Sequence, residues 1–185
     1  MAGAEPLSDI AVEPGLLAAI EDWRRWLAHE RRCSDHTLDA YGRDLAAFFA
    51  HLAGHLGYPP GLADLGSLNA ADFRGWLAAR AARGLARSST ARALSTLRNF
   101  FRFLDRAGHV HNAAIGAVRT PKLPSAVPKP LGEADALETL VTARDFHETP
   151  WIGLRDAALF TLLYGCGLRI GEALALDRGE APESG

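Results

Sequence analysis

From Leu16 to Leu104 the apolar residues recur every three or four positions, and nowhere in that span do they alternate as a half-buried strand requires. Leu16, Ile20, Trp23 and Leu27 make one stripe, predicting a helix that ends near Glu30. Ser34 stands where an N-cap belongs, ahead of a second stripe of Leu38, Tyr41, Leu45, Phe48 and Leu52. Residues 54–66, with the pair Pro59 and Pro60, read as a loop. A third helix opens at Asn69, with Asp72 in its first turn, buries Phe73, Trp76 and Leu77, and stops at Gly84. The fourth spans 88–107 around Leu94, Leu97, Phe101 and Leu104. Four helices of this length enclose a modest core, and residues 1–15, lacking any periodicity, read as a loose lead-in.

The far side of the fourth helix is unusual in its charge. At 100° per residue it gathers Ser88, Arg92, Ser95, Asn99, Arg102 and Arg106, with no acid among them, and the sequence points this stripe away from the core. Arg80, Arg83, Arg87 and Arg98 add to the neighbourhood. A solvated basic face would read the same way. A helix pressed against a nucleic-acid backbone needs such a face, with arginines on phosphates and small polar residues allowing close approach. The net charge of -2 conceals this, because the acids concentrate beyond residue 130.

Past Gly108 the texture changes. Residues 120–130 hold Pro121, Pro124, Pro128 and Pro130, which cannot sit in one helix, together with Lys122 and Lys129. Residues 108–130, with Arg119 and no acid, read as an extended basic interdomain linker. A second domain over 131–185 then begins with a helix turning Leu137, Leu140 and Val141 inward, followed by an apolar helix from Trp151 to Tyr164. It runs into Gly165-Cys166-Gly167-Leu168-Arg169-Ile170-Gly171-Glu172. Glu172, three residues after Arg169, is placed to pair with its guanidinium within a largely apolar frame. That is either an ordinary helix–glycine–helix corner or a preorganised phosphate clamp. The chain carries no Gly-rich phosphate loop, no spacing of His and Cys for a metal, and no serine nucleophile motif. Cys33 and Cys166 stand alone, which suits a reducing cytoplasm; no signal peptide and no membrane span are read.

Several of these stretches together resemble the Xer-type tyrosine recombinases of the phage-integrase family. Ser34-Asp35-His36-Thr37-Leu38-Asp39-Ala40-Tyr41-Gly42-Arg43-Asp44-Leu45 is similar to the opening of that family's core-binding domain. Arg92-Ala93-Leu94-Ser95-Thr96-Leu97-Arg98-Asn99-Phe100-Phe101 looks like its DNA-facing helix. Pro121-Lys122 and Pro128-Lys129-Pro130-Leu131 look like its linker, and Arg155-Asp156 with Gly167-Leu168-Arg169 like the start of its catalytic domain. The resemblance covers roughly residues 16–177. It implies a mainly α chain: a four-helix, SAM-like core-binding domain at 16–107, then the opening helices of an α+β catalytic domain.

It also implies function. Arg169 would be the first of two arginines clamping the scissile phosphate, with Glu172 supporting it, in strand exchange through a 3′-phosphotyrosyl link that uses no cofactor and no metal. The implied partners are double-stranded DNA and other recombinase subunits, with no membrane. Thr37 and Arg43, then Ser88, Arg92, Ser95, Arg98, Asn99 and Arg102, and in the linker Arg119, Lys122 and Lys129, would touch DNA. The family's β-hairpin lysine, His-x-x-Arg motif and nucleophilic tyrosine all lie further from that arginine than the 16 residues that follow Arg169 here. The expectation is therefore a chain truncated early in the catalytic domain, which binds DNA without cleaving it. Two other readings fit the same residues: a stand-alone DNA-binding remnant that occupies recombination sites, and a helical protein-interaction module.

Overall fold

Local signals set the helix ends. Pro14 fits the first turn of α1 (Pro14–His29), where its missing N–H has no intrahelical partner to lose. Ser34 lies in extended backbone, and its side chain accepts the Thr37 N–H at 3.4 Å to start α2 (Asp35–Leu56). At α4 (Ala70–Ala82) the capping is reciprocal: Asn69 Oδ1 accepts from the Ala71 N–H at 2.7 Å, and Asp72 accepts from the Asn69 N–H at 2.8 Å. The fourth long helix is α5 (Arg87–Arg106). The computed structural model describes residues 10–122, 130–177 and 179, which divide between two units, residues 1–125 and 126–185.

In the first unit the four long helices stand where their stripes predict, but residues 54–66 are not one loop. A short helix α3 (Leu62–Ser67) lies there, its Asp64 accepting the Gly61 N–H at 2.8 Å and its Leu65 fully buried. Six residues are too few to display a helical period, so the stretch reads as a loop in sequence. The core joins Leu16, Ile20, Trp23 and Leu27 of α1 to Phe48 and Phe49 of α2, Phe73 and Trp76 of α4, and Leu94, Leu97, Phe100 and Phe101 of α5. Its rings meet edge to face: Phe48 on Trp76 at 5.3 Å, Trp23 on Phe100 at 5.3 Å, and Phe73 on Phe101 at 5.5 Å. Each such pair adds about 0.5–1.5 kcal/mol beyond the area it buries.

The unit also continues past residue 107, where the sequence placed its boundary. Val110, Ile115 and Val118 are buried in the same core, around a short 3₁₀ turn at Ala114–Ala117. Asn112 ties the segment down, its Nδ2 donating to the Leu65 and Leu68 carbonyls at 2.7 and 2.8 Å. Residues 108–118 thus belong to the first unit rather than to a linker, because three spaced apolar side chains outweigh the basic, glycine-containing texture around them.

The second unit contains α6 (Glu133–Asp145), α7 (Pro150–Gly165) and α8 (Ile170–Leu174). The expected inward set on α6 is corrected: Leu137 and Val141 are 49% and 70% exposed, and Ala136 is the residue buried there. The buried residues of α6 and α7 are the small Ala136 and Gly153, and at Gly153 the α7 backbone passes close to that of Arg144. A Cβ on Gly153 would fall 2.1 Å from the Arg144 carbonyl oxygen. Gly153→Ala should therefore push the two helices apart at a cost of about 1–3 kcal/mol, more than the roughly 1 kcal/mol that alanine gains in helix propensity. Amide exchange should speed up in α6 and α7 and stay unchanged in α1–α5; unchanged protection in α6 and α7 would contradict this packing. Among the described residues there is no strand, and no helix is long and apolar enough to cross a membrane.

Candidate nucleic-acid interface

The contacts between α2 and α5 ascend together, Asp44 against Arg92 and Thr96, then Phe49 against Phe100. Their N-terminal turns therefore lie toward the same end of the unit. Along the outer side of α5, Ser88, Ser95, Arg102 and Arg106 are exposed, as is Arg43 on α2. Thr37 is half-buried, with its hydroxyl 3.0 Å from that of Ser34. Arg119 and Lys122 are exposed, and Lys129 lies outside the described residues.

The stripe is not uniformly free, which corrects the expectation that it simply points away from the core. Asn99 Oδ1 accepts the indole N–H of buried Trp23 at 2.8 Å, and Trp23 in turn stacks on Tyr41. Arg98 donates to Thr120 Oγ1 at 2.8 Å and to the Val118 carbonyl, fastening the segment after the 3₁₀ turn. Arg102 donates through Nε to the Arg98 carbonyl at 3.2 Å, and Arg106 lies over the Trp26 ring at 4.6 Å. Arg43, Ser88, Ser95 and Arg102 thus keep polar groups turned to solvent, whereas Arg98 and Asn99 hold the fold together.

Beneath Arg92 lies a network that the motif reading overlooked. Asp44 is 3% exposed and accepts from Arg92 Nε at 3.0 Å, Arg92 Nη2 at 3.3 Å and the Thr96 hydroxyl at 3.3 Å. Arg80 Nη2 stands 3.8 Å from the same carboxylate, with its guanidinium over the Trp76 ring at 5.1 Å. Burial pulls the Arg80 pKa down, whereas the hydrogen bond that Arg92 donates to Asp44 raises that of Arg92. The signal was available: Asp44 falls three residues after Tyr41 and four before Phe48, on the apolar stripe of α2, and Arg80 stands four after Trp76. An acid and a base on two facing apolar stripes are a buried pair in waiting.

In the second unit Arg169 is the N-cap of α8 rather than a member of its first turn. Gly167, at φ +64°, makes the reversal that delivers it. Glu172 Oε2 accepts the Arg169 N–H at 2.8 Å, and Oε1 accepts from Nη1 at 2.9 Å. The pairing matches the sequence expectation; the apolar frame does not, since the two side chains are 86% and 50% exposed. The apolar neighbours Ile170 and Leu174 face outward as well. These two hydrogen bonds, the backbone one first, hold the Glu172 carboxyl below its ordinary value of 4.5. A depressed carboxylate stabilises the cap above that ordinary value and loses the contribution as pH falls through the lower, folded one. The Arg169 amide resonance should follow Glu172 with a midpoint below 4.5, and the titration should vanish in Glu172→Gln. A midpoint at or above the ordinary value would contradict the cap.

Neither Tyr41, stacked on Trp23, nor Tyr58, donating to Asp64 at 2.9 Å, is presented as a nucleophile, and Tyr164 is half exposed on α7. The hydrogen bond to Asp64 raises the Tyr58 pKa, away from the phenolate. No group of three or more His, Cys, Asp or Glu among the described residues could hold a metal ion.

Residues 20–108 match the family described as phage integrase, N-terminal SAM-like domain. The chain is 51% identical to the tyrosine recombinase XerC of Rhodospirillum centenum over 98% of its own length and 53% of that protein. It is 46% identical to XerC of Mesorhizobium japonicum over 90% of its length and 54% of the relative, and 47% identical to XerC of Rhizobium meliloti over 88% and 51%. The chain spans about half the length of these curated relatives.

Proposed function

We propose that this chain, which belongs to the tyrosine recombinase family, binds duplex DNA through the outer faces of α2 and α5 and carries the first arginine of a strand-exchange site. The observation that carries this reading is the run of exposed Arg43, Ser88, Ser95 and Arg102 on two helices locked side by side, with no acid on the α5 stripe. Arginines there meet phosphates, and the serines let the backbone come close. Thr37 adds a polar edge, Arg119 and Lys122 are exposed basic residues of the same unit, and Lys129, outside the described residues, is assigned to DNA on its sequence alone. In the whole recombinase, Arg169 would stabilise the charge that develops on the scissile phosphate while a tyrosine attacks it. Losing one such donor costs about 10²–10³ in rate. Glu172 fixes the guanidinium on one side. A reducing, cytoplasmic setting suits the two free cysteines, and further recombinase subunits are the expected protein partners.

Titration of the 185-residue chain onto fluorescent duplex DNA tests the reading. Affinity should fall steeply with salt, by about 10³-fold between roughly 50 and 200 mM for about six phosphate contacts. Salt-independent binding, or none, would favour a helical protein-interaction module, to which the outward apolar side chains Val141, Phe146 and Trp151 of the second unit also lend themselves.

A further inference from the structure

Asp44 is an acid buried beneath a face that should welcome phosphates, and its placement calls for a reason. Its carboxylate takes Nε and Nη2 of Arg92, the side-on edge of the guanidinium, at 3.0 and 3.3 Å. Thr96 supports the same oxygen that Nε reaches, and Arg80 stands behind the other, itself pinned over Trp76. Arg92 Nη1 has no protein partner among the described residues, and the side chain is 48% exposed. One edge of the guanidinium is thus fixed on the fold, and the rest is held at the surface.

We propose that Asp44, backed by Arg80 and Thr96, is a positioning residue that presents Arg92 to a DNA phosphate as a preoriented donor. This deepens the DNA-binding reading and rests on it. An unheld arginine loses rotamer freedom when it meets a phosphate, at about 0.5–1.5 kcal/mol per side chain immobilised. Arg92 has already lost it on folding. Pairing through one edge leaves the planar fork of the other for a second acidic group, which a lysine cannot reproduce.

The test rests on the sign of an effect. A carboxylate near a DNA face repels phosphate, so removing its charge should strengthen binding if Asp44 only stabilises the fold. If Asp44 positions Arg92, Asp44→Asn should instead weaken binding about tenfold near 0.1 M salt and lower the log–log salt slope by about 0.9, the signature of one lost phosphate contact. Arg92→Lys, which keeps the charge and removes the fork, should lose as much. Titrations of the full chain on duplex DNA across a salt series, run below each variant's melting temperature, read both quantities. Asp44→Asn binding at or above wild-type affinity overturns the inference, as does Arg92→Lys binding like wild type. Wild-type chain that shows no salt-dependent binding overturns the DNA reading itself, and this inference with it.

Discussion

Asp44→Ala should destabilise the first unit by about 3–5 kcal/mol, the usual consequence of removing one partner from a buried ion pair. Arg80 is 7% exposed and cannot give up its charge, and without Asp44 its guanidinium has, among the described residues, only the Trp76 face and the Ser89 carbonyl, at 3.4 Å, to rest on. Thr96, fully buried, loses a hydrogen-bond acceptor as well. Arg92→Ala should cost less, about 1–2 kcal/mol, because Asp44 keeps Thr96 and Arg80 and the lost side chain was half in water. Urea denaturation followed by far-UV circular dichroism separates the two. Equal losses in both variants, or a loss below about 1 kcal/mol for Asp44→Ala, would mean that the network does not bind α2, α4 and α5 together as described.

How much of this the residues announce depends on the length of the signal. The stripes of α1, α2 and α5 run over three turns or more, so their period is unambiguous, and the caps at Ser34 and Asn69 can be read directly. α3 is legible only once Leu65 is known to be buried, because two leucines within six residues do not establish a period. The boundary near residue 107 misleads for a related reason: Val110, Ile115 and Val118 lie among glycines, histidines and small residues, and only the folded core shows what they touch. In α6 a helix was legible but its inward face was not. The seam there is set by how closely backbones pass at Gly153, and Leu137 and Val141 do not take part.

The candidate site divides in the same way. Charge patterning locates the basic face of α5, but a helical wheel treats all arginines on a stripe alike. It cannot say that Arg98 is occupied by Val118 and Thr120, that Asn99 is taken by Trp23, or that Arg92 stands on a carboxylate from another helix. Arg169 and Glu172 lie three residues apart, so their pairing follows from sequence alone; the exposure of the pair follows from what packs around α8, which no local pattern specifies.

The largest effect on function is expected where arginines are exposed and untied to the core. Arg43, Arg87 and Arg102 are all exposed, and among the described residues the one side-chain hydrogen bond of the three is that of Arg102 to a carbonyl of its own helix. Replacing the three with alanine removes three phosphate contacts while leaving the Asp44 network and the Arg98 and Asn99 ties in place. At about 0.1 M salt that corresponds to a loss of roughly 10²–10³-fold in affinity for duplex DNA.

The direct measurement is the slope of log affinity against log salt for wild-type chain and for the triple variant, with melting curves recorded on the same samples. The DNA-interface account predicts a slope shallower by about 2.7, three times the 0.9 of a single phosphate contact, with the melting temperature unchanged. An unaltered slope and affinity in a folded triple variant would show that the outer faces of α2 and α5 are solvated surface, and would contradict the account.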